Sequence, residues 1–408
     1  MKEYNTLDDF ELDNKTVFLR VDFNMPLDKD SFEILDTTRI KRALPTINEL
    51  INKNAKTVII AHQGRKDSWD FINLERHAKA LSNLIGKEVK FIEDIYGEKA
   101  KDNIKNLKNG EILILDNVRK FDGETDKKSA EDHAKSELIQ NLYPLGDLFV
   151  NDAFAAAHRA QCSLIGFTAV MPSCAGRLME KELETLEKIL QKPEKPSVFL
   201  FGGAKFSDVI VTIERLLENK TADKILLTGL PANAFLKAEG VELGNKNEEM
   251  LAKEGTTENY EEIRKLLSKY RDNIYLPIDF AQKKNSDRAE IGITDLPSDY
   301  NLFDIGEKSI DKFKDIISDA KTVFLSGPCG VFENSVFMKG TQEIFTYVAN
   351  SDIFSIVGGG HTVAAVEQLG LDKKMSHIST GGGSLEKFMM GEKLPVIEAL
   401  KTAKNKFS

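Results

Sequence analysis

Four arginines follow apolar runs of the chain, or the loops just behind them, and each stands among small polar residues. One run ends in Arg20-Val21-Asp22-Phe23-Asn24, and Arg39 comes after the loop Asp36-Thr37-Thr38. A second run is followed by His62-Gln63-Gly64-Arg65, a later one by Asp116-Asn117-Val118-Arg119, and another by Asn151-Asp152-Ala153-Phe154 and then His158-Arg159. A guanidinium grips phosphate or carboxylate through a planar, two-pronged fork. Any single one of these arginines is more simply read as half of a surface ion pair, and His62 alone reads equally well as a core histidine. Four arginines at equivalent positions in an acidic chain predict a small-anion pocket. Asp22 and Asn24, two apart, face the same side of an extended segment and are suited to a substrate hydroxyl.

The second half carries a different theme, glycine after apolar runs. The segments are Gly202-Gly203-Ala204-Lys205, Gly327-Pro328-Cys329-Gly330, Gly358-Gly359-Gly360-His361-Thr362 and Gly381-Gly382-Gly383-Ser384. Glycine lets backbone N–H groups approach a phosphate, a helix N-terminus adds partial positive charge, and Lys205 adds a full one. Each turn alone needs glycine for geometry only; several in one half predict a nucleotide or another polyphosphate. The Gly-x4-Gly-Lys-Ser/Thr loop, the spaced dinucleotide fingerprint and the protein-kinase signatures are all absent.

The elements that must position these groups are short and β-branched. Strands are predicted at 16–22, 57–61, 88–92, 112–116 and 148–151, then at 197–201, 224–228, 274–278, 322–326, 353–357 and 377–380. Most are near-continuously apolar, as in parallel sheets covered on both faces, and helical periodicity fills the gaps at 39–52, 74–84 and 362–369. The fold class is therefore α/β, two doubly wound, Rossmann-like parallel-sheet domains. Ligands in such sheets bind beyond the carboxyl ends of the strands. A helix over 176–191, stopped by Pro193 and Pro196, joins the domains. The expected division is 1–175, a connecting helix 176–192, and 193–380.

A chain of 408 residues is too long for one ordinary core, which agrees with two domains. The net charge of −9 argues against general binding to nucleic acid or an anionic membrane. Three cysteines at no metal-ligand or redox spacing, no export signal at the start and no apolar run of membrane-spanning length together predict a cytoplasmic protein.

In their order, and over almost the whole chain, Arg20–Asn24, His62–Arg65, Asn151–Phe154 with His158-Arg159, Gly202–Lys205, Gly327–Glu333 and 379–383 resemble the signature segments of phosphoglycerate kinases. The resemblance implies reversible phosphoryl transfer between ATP and 3-phosphoglycerate, giving ADP and 1,3-bisphosphoglycerate. It implies that Asp22, Phe23, Asn24, Arg39, His62, Gln63, Gly64, Arg65, Arg119 and Arg159 bind 3-phosphoglycerate. It implies a nucleotide site of Gly202, Gly203, Ala204, Lys205, Gly229, Gly327, Pro328, Glu333, Gly358, Gly359, Gly360, His361 and Thr362, with Glu333 on the ribose. Arg39 and Lys205 are expected to stabilise the phosphoryl group in flight, with Mg²⁺ carried by the nucleotide. The resemblance further implies that 381–408 packs back on the first domain and that hinge closure brings the ligands together. A monomer is expected, with a homodimer as the alternative. His361, Val209 and Ser326 replace the common Asp, Lys and Asn, and with Arg177 they resemble the archaeal branch of the family.

Overall fold

The computed structural model describes residues 2–191, 193–204, 206, 208–285 and 287–407. Their contacts divide the chain into one unit of Met1–Glu184 with Lys393–Ser408 and another of Thr185–Glu392. Among the described residues no helix is long and apolar enough to cross a membrane.

The first unit is built on strands β1 (Thr16–Arg20), β2 (Lys56–Ile60), β3 (Val89–Ile92), β4 (Ile112–Leu115), β5 (Leu148–Asn151) and β6 (Ser173–Ala175). They pair in the order β3-β4-β2-β1-β5-β6, all parallel. Side chains alternate across a strand, so Val17, Leu19 and Ile59 enter the core on one face while Phe18, Val58 and Ile60 enter the core on the other. That double burial is why the strands read as unbroken apolar runs. Arg20 pairs in register with Ile60 on one side and Asn151 on the other, which sets the ends of β1, β2 and β5 level. Chain order reverses between β1 and β5, the point where an open α/β sheet forms its crevice.

The helix Arg177–Gln191 begins at Asp152, whose Oδ1 accepts from the Met179 N–H at 3.0 Å. Arg177 ties its start to Asp8, Glu49 and Glu180. The division into units falls inside this helix. The sequence reading put all of 381–408 with the first domain. The contacts split that stretch: the helix Gly383–Met389 falls in the second unit, and Pro395–Phe407 in the first. The latter helix is held by Lys404 Nζ on the Lys2 carbonyl at 2.6 Å and Lys406 Nζ on the Ala169 carbonyl at 2.7 Å.

The second unit contains β7 (Ser197–Phe201), β8 (Lys224–Leu227), β9 (Ile274–Tyr275), β10 (Asp279–Lys284), β11 (Asp287–Gly292), β12 (Leu302–Ile305), β13 (Thr322–Ser326), β14 (Phe354–Gly358) and β15 (His377–Ile378). Its main sheet runs β15-β14-β13-β7-β8-β9, again all parallel, with the reversal between β7 and β13. Two features differ from the sequence reading. β6 is three residues without β-branching, a signal too short to register. β10, β11 and β12 form a separate antiparallel sheet whose hairpin carries Lys283, Lys284, Asp287, Arg288 and Glu290, so apolar continuity does not mark it.

Candidate functional site

Along the carboxyl edge of the first sheet, the loops after β4, β2, β1 and β5 are neighbours because the strands are. Arg39 forms an ion pair with Asp22, its own side chain remaining 42% exposed. Arg119 donates to the carbonyl of Gly64, beside Arg65, and Arg159 Nε lies 3.2 Å from His158 Nε2. Among the described residues Arg65, Arg119 and Arg159 have no carboxylate partner. The ion-pair reading thus holds for Arg39 and fails for the other three, in a chain with nine more acidic than basic residues.

Electrostatics tie the rim together. Burial pushes the His62 imidazole well below its ordinary value; Asp22 opposes this, while Arg20, Arg119 and Arg159 add to it. Burial, then Arg159 and Arg20, also lower Arg119. Burial raises the Asp22 carboxyl, but Arg39, His62, the Asn24 N–H and Arg20 together hold it below its usual value. An anion entering here meets cations whose mutual repulsion it relieves.

Two of the expected ligand residues turn inward. Phe23 is fully buried in the core. Gln63 is also fully buried, with its amide holding the Met25 N–H at 2.8 Å, the Met25 carbonyl at 3.1 Å and His77 at 3.1 Å. Asn24 Oδ1 accepts from the Gly64 N–H at 2.8 Å. At Gly64, φ is +68° and a Cβ would lie 2.6 Å from the Asp70 backbone, so only glycine fits. Phe23, Gln63 and Gly64 shape the rim rather than offer side chains to it. Asn117, which sequence reasoning missed, locks the loop by donating to the carbonyls of Gln63 at 2.7 Å and Ile72 at 2.9 Å.

In the second unit a cavity of about 550 Å³ opens beyond β7, β13 and β14. Of the residues expected to bind nucleotide, Gly202, Gly203, Ala204, Gly327, Pro328, Gly359, Gly360, His361 and Thr362 line it. Gly229, Gly358 and Glu333 do not, and Glu333 is exposed. Lys205 lies outside the described residues. Val209 and Ser326, singled out in the sequence as replacements of the common Lys and Asn, line it too; Asp208 and Thr212 on either side of Val209, together with Glu254, Glu386 and Met389, were missed. Only a partly exposed apolar residue near the start of the helix Val209–Glu218 hinted at them.

The glycine turns do less for anions than their sequence suggests. The N–H groups of Gly202 and Gly203 donate to the carbonyls of Ser326 and Pro328, both at 2.8 Å, and the Gly327 N–H donates to Thr362 Oγ at 2.6 Å. A Cβ on Gly202 would meet the Pro328 carbonyl oxygen at 2.3 Å, and one on Gly327 the Gly202 oxygen at 2.1 Å. These glycines let two loops interlock, backbone against backbone. The helix Gly360–Gln368 is different: its first hydrogen bond from outside is Val363 N–H to the Gly359 carbonyl at 3.0 Å. The N–H groups of Gly360, His361 and Thr362 remain, as at any helix start, without intrahelical acceptors. Among the described residues no group of three His, Cys, Asp or Glu side chains is gathered to hold a metal ion.

The phosphoglycerate kinase family model matches residues 7–392. The phosphoglycerate kinase of Methanococcus maripaludis is 49% identical over 404 residues, covering 97% of each chain. That of Methanobacterium bryantii is 45% identical over 403 residues, covering 99% of this chain and 98% of the relative. The crystal structure of phosphoglycerate kinase from Pyrococcus horikoshii superposes with a TM-score of 0.90 at 40% identity, covering 98% of this chain and all of the other.

Proposed function

The chain belongs to the phosphoglycerate kinase family, and on that premise we propose how its own residues carry the reaction, the reversible phosphoryl transfer between ATP and 3-phosphoglycerate that gives ADP and 1,3-bisphosphoglycerate. In the ATP-consuming direction the carboxylate of 3-phosphoglycerate attacks the γ-phosphorus. A new O–P bond forms as the bond to the bridging oxygen of ADP breaks. The nucleophile, with a pKa of about 3.5, is ionised at neutral pH, so no general base is needed. Catalysis then rests on positioning and charge stabilisation.

Arg65, Arg119 and Arg159 bind the anionic groups of 3-phosphoglycerate, His62 and Asn24 add hydrogen bonds, and Asp22 takes the hydroxyl. Phe23, Gln63 and Gly64 hold the loops in shape. Arg39, paired with Asp22, turns to the phosphoryl group and acts there with Lys205. In the second unit the Val209, Thr212 and Met389 wall takes the base, and the helix start at Gly360, His361 and Thr362 takes the phosphates. Glu333, exposed outside the cavity, keeps its ribose role only after the loop that carries it moves. Mg²⁺, carried mainly by the nucleotide, would neutralise phosphate charge. Closure about the Arg177–Gln191 segment is proposed to bring the ligands in line and exclude water. A monomer is proposed as the working unit. The three buried, unbridged cysteines support a cytoplasmic setting.

The observation that carries the substrate assignment is the set of three rim arginines without carboxylate partners. Phosphorylation of 3-phosphoglycerate by ATP, coupled to NADH oxidation, tests it. Arg39→Ala and Lys205→Ala should each lower kcat by roughly 10²–10³, the usual loss for a positive group aimed at a transition state. EDTA should abolish turnover. Unchanged kcat in both folded variants sinks the assignment of the transferring charges.

A further inference from the structure

Beneath the rim lies a charged group that substrate binding does not use. Arg20, the last residue of β1, is fully buried. Its Nε donates to Ser163 Oγ at 2.8 Å, its Nη1 to the carbonyl of Val21, and its Nη2 lies 3.3 Å from His62 Nδ1. Ser163 passes the chain onward, donating its hydroxyl to Glu124 Oε1 at 2.7 Å and its N–H to Oε2 at 2.8 Å. Glu124 is 1% exposed, with Oε1 4.0 Å from Arg20 Nη2. Four chain segments thus converge on one imidazole.

The donor count decides the protonation. A guanidinium carries donors only, so the short approach of Arg20 to Nδ1 requires Nδ1 to be an acceptor. The ring proton then sits on Nε2, and an imidazolium, with a second N–H facing Arg20, is excluded by donor–donor repulsion. The direction of every other bond agrees: Arg20 gives to Ser163, and Ser163 gives to Glu124. Around the ring the charges of Arg20, Arg119 and Arg159 oppose that of Asp22, with Glu124 lying behind Arg20, and burial favours the neutral form. Nε2 has no partner among the described residues. A buried ion pair adds little stability over an apolar core of equal volume, so stability does not account for Arg20 and Glu124.

We propose that Glu124, Ser163 and Arg20 are positioning residues that hold His62 as its neutral, Nε2-protonated tautomer, so that the ring acts as a fixed hydrogen-bond donor to 3-phosphoglycerate. None of the three touches the substrate. The functional half of this inference rests on the assignment of the rim as the 3-phosphoglycerate site; the tautomer stands on the geometry alone.

Long-range proton–nitrogen NMR of the full-length, ¹⁵N-histidine-labelled protein tests it, with the His62 signals assigned by their loss in His62→Gln. Without ligand, His62 should show a bare Nδ1 and a protonated Nε2, unchanged from about pH 5.5 to about pH 8.5, a range across which a free imidazole titrates. A protonated Nδ1, or a midpoint near that of free histidine, overturns the proposal whatever the variants do. Ser163→Ala and Glu124→Gln should bring His62 into titration or mix its tautomers. They should also raise KM for 3-phosphoglycerate about tenfold, the equivalent of one lost hydrogen bond, and leave KM for ATP unchanged. Folded variants with unmoved His62 signals overturn it as well. Adding 3-phosphoglycerate to the wild type separates the two readings. A shift of the Nε2–H signal supports both. A correct tautomer with an unmoved Nε2–H signal, while Arg159→Ala still raises KM for 3-phosphoglycerate, refutes the functional half and leaves the rim assignment standing; an unmoved signal together with an unchanged KM in Arg159→Ala refutes the rim assignment.

Discussion

The two ligand-facing regions handle anions with different parts of the chain. The rim of the first unit would do it with side chains: among the described residues Arg65, Arg119 and Arg159 stand without carboxylate partners, over a buried Arg20. The cavity of the second unit is lined, among its described residues, by three carboxylates, Asp208, Glu254 and Glu386, and by no lysine or arginine. Under the proposed function, its attraction for phosphate would come from backbone N–H groups at one helix start and from positive charge supplied by Lys205 or by a metal ion on the nucleotide. Side-chain recognition is strong and easily broken by a single substitution. Backbone recognition is broken only by changing the course of the chain.

The largest expected effect tests the side-chain half. Arg159→Ala removes one of the three unpaired cations, and kcat/KM for 3-phosphoglycerate should fall by about 10²-fold or more, with KM for ATP little changed. Arg159→Lys keeps the charge but loses the planar fork, so it should recover only part of the loss. Steady-state kinetics with each substrate varied in turn checks both. If the alanine variant moves the ATP constant instead, the contrast between the two regions collapses.

The next effect tests the backbone half. Gly327 has φ +96°, and a Cβ there would sit 2.1 Å from the Gly202 oxygen. Gly327→Ala should force the interlocked loops apart, at a cost of about 1–3 kcal/mol or more, and raise KM for ATP roughly tenfold. Gly360 lies in the same cavity, but a Cβ on it meets nothing within 4 Å and its φ is not positive. Gly360→Ala should leave the melting temperature within about a degree or two and move KM for ATP by less than about threefold. Equal effects from the two substitutions would mean that the interlock does not organise the pocket.

The same contrast explains what was legible in the sequence. Arg39, Arg65, Arg119 and Arg159 advertise a site because four of them stand at equivalent positions after apolar runs in an acidic chain, and parallel strands announce themselves by unbroken apolar runs. The inward turn of Phe23 and Gln63 was not legible, since burial depends on the Met25 and His77 contacts made by distant segments. Nor was the true use of Gly202 and Gly327: a glycine before a helix looks the same whether its N–H faces a phosphate or a neighbouring loop. Asp208, Thr212 and Glu254 were hidden because a cavity wall on a helix has no motif. The β10–β12 sheet escaped because its strands are largely polar.

The smallest effect compares two buried aspartates, one in each unit, both with carboxyls pushed up by burial to about 6. Asp304 has a cation, Arg288 Nη1 at 2.7 Å, and also accepts from the Gly340 N–H at 2.8 Å. Asp152 has the Met179 and Leu178 N–H groups at the start of the Arg177–Gln191 helix, the Thr46 hydroxyl and the more distant charge of Arg177, with Oδ2 unpartnered among the described residues. Asp304→Asn should therefore destabilise the second unit by about 1–3 kcal/mol at neutral pH, by breaking a buried pair. Asp152 carries the cleaner pH signature. A carboxyl whose folded value lies above its ordinary 3.8 favours the fold while it is protonated. That contribution is present below about 3.8 and is lost as the pH rises to about 6, beyond which the fold carries a buried charge. Two units of displacement correspond to roughly 3 kcal/mol, and relaxation around the site should leave on the order of 1–2 kcal/mol. Denaturant melts of the wild type and Asp152→Asn from about pH 4.5 to about pH 7.5 measure it. The wild type should lose stability relative to the variant as the pH rises, and the difference should level off above pH 7. A constant difference between the two would show that Asp152 stays ionised throughout, its charge held by the N–H groups at the helix start.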